Sequence, residues 1–255
     1  NPGNVATFTT TVAGVYSVII TDTTTNCVSP SASGTVTVNP NPTVTVNSPA
    51  VCAGASATVT ATPGVAGTYS YAWTVPTGAT PPGDVATFTT TVAGVYSVII
   101  TNTLTNCVST SASGTVTINP NPTVSVNSPT VCDGASATVT ATPGVAGAYS
   151  YAWTVPTGAA NPGNVATFTT TIAGVYSVII TNTATGCIST LASGTVSLST
   201  NPTVTVNSPT VCQGTPATVT ATPGVAGTYS YAWTVPATAS NPGNVATFTT
   251  TVAGV

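Results

Sequence analysis

A period of eighty residues organises the whole chain. Its first fifteen residues, NPGNVATFTTTVAGV, return unchanged as residues 241–255, and Trp73, Trp153 and Trp233 lie eighty positions apart. A unit of this length is longer than most solenoid repeats and close to the size of a small β-sandwich, so each copy is expected to have its own core. We predict a partial repeat at 1–40 (a C-terminal half), repeats at 41–120 and 121–200, and a partial repeat at 201–255 (an N-terminal half), cut from a longer array.

Repeat 41–120 has the alternation of Thr with apolar residues that is typical of β-strands. Six strands are predicted, which we letter as in immunoglobulin folds: A (43–47), B (57–62), C (68–75), E (85–90), F (95–101) and G (115–118). Turn sequences rich in Gly and Pro separate them, and the high Thr and Val content disfavours helices. The pattern predicts an all-β chain of tandem immunoglobulin-like sandwich domains.

The large aromatic residues are predicted to fill the cores of these domains. Tyr96 follows an Ala-Gly pair at the start of strand F, where its hydroxyl would tie the E–F corner. Aromatic side chains dominate small sandwich cores, so packing is favoured over ligand stacking. The predicted core residues are Trp73, Trp153, Trp233, Tyr96, Tyr176, Phe88 and Phe168.

Four motifs in fixed order carry a resemblance to a known family. They are Cys52-x-Gly54 before strand B, the YSYAW sequence of strand C, Gly94-x-Tyr96 at strand F, and a cysteine in the F–G loop. Together they resemble the PKD-like, immunoglobulin-like repeats of giant Bacteroidota cell-surface adhesins, of the gliding-motility type exported by type IX secretion. The resemblance covers every repeat and implies an exported, non-catalytic surface protein. The chain departs from the PKD pattern after strand C, where WTVPTGA replaces an acidic turn, so no calcium or carbohydrate role is carried over.

Six cysteines alternate between the segment before strand B and the F–G loop. In an exported protein they are expected to form disulfides. A metal site is disfavoured because the chain has no His and no two cysteines are close in sequence.

The two cysteines of one repeat are predicted to lie at opposite ends of the sandwich, since strands B and F run in the same direction. The ends would be about 20–25 Å apart, whereas a disulfide needs Cα atoms within about 7 Å. We therefore predict an interdomain Cys52–Cys187 bridge between consecutive repeats. A rival scheme closes each repeat on itself, as Cys52–Cys107 and Cys132–Cys187. Under our scheme, four cysteines pair outside residues 1–255: Cys27, Cys107, Cys132 and Cys212.

Composition excludes several functions. The chain has no Lys, Arg or His, so it cannot neutralise phosphates, and neither nucleic acid nor an anionic membrane surface is an expected partner. Its only carboxylates, Asp22, Asp84 and Asp133, occupy three different positions of the repeat, and other repeats have uncharged residues there. General acid–base chemistry lacks its usual groups, so we expect neither catalysis nor a cofactor.

Two functions remain open. One is a structural shaft of a long extracellular filament or adhesin on a bacterial surface, in which short linkers that contain Pro hold the domains as a stiff rod, each domain adding about 35–45 Å. Its partners would be neighbouring repeats of the same chain and laterally associated copies. The other is a multivalent module that binds glycans or surfaces through each repeat, which would need exposed aromatic residues. The assignment of the aromatics to the core favours the shaft.

Overall fold

The computed structural model describes residues 2–254, which form β-strands joined by turns. The chain divides into two compact units, Asn1–Asn121 with Asn182–Ile188, and Pro122–Thr181 with Ser189–Val255. Residues 2–254 include no helix that is long and apolar enough to cross a membrane.

Repeat 41–120 folds into two facing sheets. Its strands are β3 (Val44–Val46), β4 (Ala50–Cys52), β5 (Ala57–Pro63), β6 (Tyr69–Thr74), β7 (Thr87–Thr90), β8 (Gly94–Asn102) and β9 (Ala112–Asn119). One sheet has the antiparallel order β3-β5-β7, and the other has the order β4-β9-β8-β6. Within the second sheet only the pairing of β4 with β9 is parallel. This arrangement of seven strands is an immunoglobulin-like β-sandwich.

Repeat 121–200 reproduces these two sheets strand for strand. Its strands are β10 (Val124–Val126), β11 (Thr130–Cys132), β12 (Ala137–Pro143), β13 (Tyr149–Thr154), β14 (Thr167–Thr170), β15 (Gly174–Asn182) and β16 (Ala192–Ser199). The segments on either side contribute smaller sheets: β1 (Gly14–Val18) with β2 (Ala32–Val36), and β17 (Val204–Val206), β18 (Ala217–Pro223) and β19 (Thr247–Thr250).

Strand β4 was missed by the sequence prediction, which placed a turn at SPAVCAG. Residues 50–52 pair with Thr117, Ile118 and Asn119 of β9, so the chain leaves the sheet of β3 and crosses to the opposite sheet before it reaches strand B. A three-residue strand has no periodicity of its own, and its partner lies more than sixty residues away. Its existence therefore depends on tertiary pairing rather than on local pattern.

The core of repeat 41–120 lies along the inner face of β8. Tyr96, Val98 and Ile100 are at most 1% exposed, while Val95 and Ile99, at alternate positions, lie on the outer face. Such alternation is required of a strand with one buried face. Burial of these apolar side chains supplies the main driving force for folding.

The aromatic residues predicted for the cores of the three repeats differ in how deeply they are buried. Tyr96, Tyr176 and Trp153 are buried. The other four are half-buried, at Trp73, Trp233, Phe88 and Phe168. In each repeat the Trp ring meets the Phe ring edge to face, and the Trp73 and Phe88 centroids are 5.0 Å apart. The indole N–H of Trp73 donates to the carbonyl oxygen of Val85 at 2.8 Å, so its polar end is satisfied.

Amide and hydroxyl side chains provide the polar contacts in a chain without cations. The Asn47 side chain donates to the carbonyl oxygen of Thr58 at 3.0 Å and accepts from the Thr60 amide at 2.8 Å, which extends the pairing of β3 with β5. The buried Ser109 hydroxyl accepts from the Ile100 amide at 3.0 Å. Across the described residues, every buried side-chain nitrogen and oxygen has a hydrogen-bond partner.

The buried hydroxyl of Tyr96 ties the corner before β8, and its removal should weaken that strand. It donates to the carbonyl oxygen of Val92 at 2.9 Å and lies 2.8 Å from the Thr90 hydroxyl. We expect Tyr96→Phe to lower the free energy of opening of β8 by about 1 kcal/mol, because the half-buried Val92 carbonyl oxygen loses its donor. Hydrogen exchange of the amides of residues 94–102, followed by mass spectrometry, measures this free energy of opening.

The matched control is Tyr71→Phe. Tyr71 is only half-buried, and its backbone amide rather than its hydroxyl makes the hydrogen bond seen at this residue. Equal exchange rates in the two variants would show that the Tyr96 hydroxyl does not stabilise the corner.

Candidate functional site

The chemically distinctive site of the chain is a disulfide between consecutive repeats. Cys52 of repeat 41–120 is bonded to Cys187 of repeat 121–200, across a sequence separation of 135 and with Cα atoms 5.5 Å apart. Both residues belong to the first compact unit. The Cys187 side chain is fully buried, whereas Cys52 is half-buried.

Each cysteine is positioned by its own local structure. Cys52 ends β4 and is fixed by the parallel pairing with Asn119 of β9. Cys187 lies in a tight turn after β15, in which the Asn182 side chain accepts hydrogen bonds from the amides of Ala184 and Thr185 at 2.9 and 3.2 Å. Gly186 has a φ of 74° in this turn, a backbone conformation that Gly adopts without steric cost. The turn closes when the Asn182 amide donates to the carbonyl oxygen of Cys187 at 2.8 Å.

Hydrogen bonds hold the linker against the turn that follows Cys52. The Ala53 amide donates to the carbonyl oxygen of Asn119 at 2.8 Å, and the Asn121 side chain donates to the carbonyl oxygen of Ala53 at 3.2 Å. The Cys187 sulfur lies 4.0 Å from the same Asn119 carbonyl oxygen. We call these residues, Cys52, Ala53, Asn119, Asn121 and Cys187, the junction site. The linker is therefore fixed to the repeat that it leaves.

Neighbouring linkers contain parts of the same arrangement. At the linker before repeat 41–120, the Cys107 sulfur lies 3.6 Å from the carbonyl oxygen of Asn39, as Cys187 lies near Asn119. At the linker after repeat 121–200, the Asn201 side chain donates to the carbonyl oxygen of Asp133 at 3.0 Å, as Asn121 does to Ala53. The geometry of the junction site thus follows the eighty-residue period.

The four remaining cysteines are free thiols, and neither bridge of the rival scheme is present. Cys107 is half-buried, and the other three, Cys27, Cys132 and Cys212, are exposed.

Sequence analysis did not predict the contribution of Asn121. An Asn recurs at positions 41, 121 and 201, which could have drawn attention to it. Its hydrogen bond, however, is made to Ala53 in the turn that follows β4.

The carboxylates make structural hydrogen bonds that asparagine makes equally well. Asp84 accepts from the Tyr71 amide at 2.6 Å, and Asn164 accepts from the Tyr151 amide at 2.7 Å in the next repeat. The Thr24 amide, which donates to Asp22 at 2.8 Å, holds the pKa of that exposed carboxyl below its usual value, with a smaller effect from Thr25. Within residues 2–254, His, Cys, Asp and Glu form no cluster of three that could bind a metal ion.

Loss of the disulfide should destabilise the chain, because the bond restricts the unfolded state. For a loop of this length the chain-entropy model and measured cases place the effect at about 2–5 kcal/mol. We expect Cys187→Ser to lower the urea midpoint of tryptophan fluorescence, measured without reductant after the free thiols are blocked with iodoacetamide.

Cys107→Ser is the matched control, since Cys107 occupies the equivalent loop position one repeat earlier and is unpaired. We expect its midpoint to equal that of the unsubstituted chain. A similar loss of stability in both variants would mean that the serine, rather than the missing bond, is responsible.

Comparison with known proteins gives matches at the level of solved structures only. No family model and no curated protein matches the chain. A fragment from the I-band of titin is 13% identical, with 74% of this chain and 78% of that fragment covered and a TM-score of 0.41. The four N-terminal immunoglobulin domains of a Dscam1 isoform are 16% identical, with 62% of this chain and 46% of that chain covered and a TM-score of 0.29. Titin domains in complex with telethonin are 16% identical, over 65% of this chain and all of that chain, with a TM-score of 0.25.

Proposed function

We propose that the chain is a load-bearing, non-catalytic segment of an extracellular filament or adhesin on a bacterial surface, in which each eighty-residue repeat is one sandwich domain. The observation that carries the proposal is the Cys52–Cys187 disulfide. Stable disulfides are typical of oxidising, extracellular compartments. The resemblance of the repeat motifs to Bacteroidota surface adhesins supports the same location, and gliding motility and type IX secretion are proposed on that resemblance.

The position of the disulfide determines which part of the chain would bear tension. A force applied at the two ends passes along the chain to Cys52, crosses the disulfide, and continues from Cys187. Residues 53–186 therefore lie outside the covalent load path. They include five strands of repeat 41–120, from β5 to β9, and most strands of repeat 121–200. The backbone of these strands would be stretched only after the sulfur–sulfur bond is broken.

The junction site adds non-covalent resistance at the linker. Its hydrogen bonds join Asn119 and Asn121 to Ala53, and because all three residues lie between Cys52 and Cys187, these bonds would resist extension of the linker once the disulfide is broken. A Pro-bearing linker is also less extensible than a Gly/Ser-rich one. These features support a shaft that transmits force with little lengthening.

The exposed surface supports a structural role over a binding role. Among the described residues, Phe8 is the only exposed aromatic side chain, and its counterparts in the other repeats are half-buried. Glycan-binding faces generally need exposed aromatic rings to stack on sugars. The outer faces carry Thr with apolar residues such as Val95 and Ile99, and the net charge is only −3, so lateral packing of copies would meet little repulsion.

Single-molecule stretching of the 255-residue chain from its two ends tests this proposal. The length of the oxidised chain at full extension should exclude residues 53–186, because the disulfide bypasses them. Reduction with dithiothreitol should then lengthen the fully extended chain by about 450–490 Å, from 135 residues at about 3.3–3.6 Å each.

Cys187→Ser should reach the longer extension without reductant, and Cys107→Ser should behave as the unsubstituted chain. Equal extension of the oxidised and reduced chains would contradict a load-bearing disulfide. A glycan array on which the oxidised chain gave a clear signal would favour the binding module instead.

A further inference from the structure

We propose that Asn121 is a positioning residue for the disulfide: it fixes the linker beside Cys52 before the bond forms, and so directs Cys52 to Cys187 instead of a nearer thiol. It acts through Ala53, the residue after Cys52, whose carbonyl oxygen accepts from the Asn121 side chain at 3.2 Å. The role concerns how the bond is made, and it does not rest on the load-bearing function.

Chain length alone favours other partners for Cys52. Cys187 is 135 residues away, whereas Cys107 and Cys132 are nearer in sequence. The probability of closing a flexible loop falls with about the 3/2 power of its length, so in an unfolded chain Cys107 would meet Cys52 about fourfold more often than Cys187 would. The folded structure therefore has to overcome this preference.

The fold of repeat 41–120 removes Cys107 as a partner. Cys52 pairs with Asn119 at the end of β9, whereas Ala112, at the start of β9, pairs with Val98 of β8. Cys107 lies in the connection between β8 and β9, beyond Ala112. Nearly the whole length of β9, about 23 Å at 3.3 Å per residue, therefore separates it from Cys52. A disulfide needs Cα atoms within about 7 Å.

Backbone and side-chain groups of the linker define the place that Cys187 occupies. The Asn119 carbonyl oxygen accepts from the Ala53 amide at 2.8 Å and lies 4.0 Å from the Cys187 sulfur. Asn121 holds the next part of the linker to Ala53, so the linker stays beside Cys52. Residues 182–188, which include Cys187, belong to the same compact unit as this linker. The hydrogen bonds therefore hold the groups around which the two sulfurs meet.

The same hydrogen bonds form where no disulfide is present. At the linker after repeat 121–200, Cys132 is a free thiol. The Asp133 amide nevertheless donates to the carbonyl oxygen of Ser199 at 2.8 Å, and the Asn201 side chain donates to the carbonyl oxygen of Asp133 at 3.0 Å. These bonds are the equivalents of those next to Cys52. They do not need the disulfide, which allows them to precede it.

An asparagine is suited to this position by its neighbours and by its donor. Asn121 lies between Pro120 and Pro122, and a following proline confines the backbone to extended conformations. Few conformations are therefore lost when its side chain binds Ala53. The amide group supplies N–H donors, whereas an aspartate of the same shape would present only acceptors to the Ala53 carbonyl oxygen.

Formation of the bond needs a disulfide oxidant, such as oxidised glutathione. The Cys52 thiolate attacks the glutathione disulfide and releases one glutathione thiolate. The Cys187 thiolate then attacks the Cys52 sulfur of the mixed disulfide and releases the other. Two protein thiols thus lose two electrons and two protons, and one oxidised glutathione becomes two glutathione thiols. Positioning acts on the second step, which depends on the effective concentration of Cys187 at Cys52.

The thiol–disulfide equilibrium tests the proposal. The reduced, unfolded chain is refolded in a mixture of reduced and oxidised glutathione, blocked with iodoacetamide, digested with elastase and analysed by mass spectrometry. Asn121→Ala should lower the equilibrium constant of the Cys52–Cys187 bond against glutathione roughly two- to tenfold, the size expected for one net hydrogen bond. At early times it should also give more Cys52–Cys107 bond. Asn121→Asp should lower the equilibrium constant at least as much.

Asn201→Ala is the matched control, because it removes the equivalent hydrogen bond at the next linker. It should leave the Cys52–Cys187 equilibrium unchanged. A purely structural role of Asn121 would lower the urea midpoint of the reduced chain without moving this equilibrium. An unchanged equilibrium constant in Asn121→Ala, or an equal decrease in Asn201→Ala, overturns the proposal.

Hydrogen exchange of the Ala53 amide in the fully reduced chain, followed by NMR, tests the order of events. This amide donates to Asn119 in the oxidised chain, and it should remain protected after reduction. Asn121→Ala should raise its exchange rate in the reduced chain roughly two- to tenfold. An Ala53 amide that is unprotected until the disulfide forms would show that the bond builds the junction site, and it would overturn the proposal.

Discussion

Because Cys52 ends a strand of one repeat and Cys187 lies in a loop of the following repeat, the disulfide between them encloses most of two repeats in one covalent loop. A bond within a single repeat would stabilise that repeat alone. The bond between repeats also fixes the chain around Asn119, where backbone and side-chain hydrogen bonds already hold the linker. Covalent and hydrogen-bonded restraints therefore act at the same place. The load path proposed above follows from this one connection.

The near absence of charge shapes how the sandwich is stabilised. Because the chain has no Lys, Arg or His, no ion pair can form between its side chains, and neutral amide and hydroxyl side chains make many of its specific polar contacts. Asn47, Ser109 and the Tyr96 hydroxyl each satisfy a backbone group near the end or edge of a strand. Hydrogen bonds of neutral groups respond little to salt, whereas exposed ion pairs are screened by it. The stability of such a fold is therefore expected to change little with ionic strength.

Much of the fold could be predicted from the sequence because its strands follow a period of two and its repeat follows a period of eighty. Tyr96, Val98 and Ile100 alternate with polar or outward residues, and this pattern was sufficient to place strand F and its buried face. The pairing of Cys52 with Cys187 could be predicted because the ends of a sandwich are too far apart for a bond within one repeat. Here the length of the strands, rather than any motif, was the informative quantity.

Strand β4 and the role of Asn121 could not be predicted in the same way. Both depend on residues 50–53 meeting residues 117–121, which are distant in sequence and show no pattern of alternation. Periodicity gives the type of each element, and long-range pairing decides whether that element forms.

The most direct test of the central connection is peptide mapping of the oxidised chain without reduction. Trypsin cannot be used because the chain has no Lys or Arg, so elastase digestion and tandem mass spectrometry are suitable. A peptide containing Cys52 should be covalently linked to one containing Cys187. A link from Cys52 to Cys107 would show that each repeat closes on itself, and it would contradict both the load path and the selection of Cys187 proposed above.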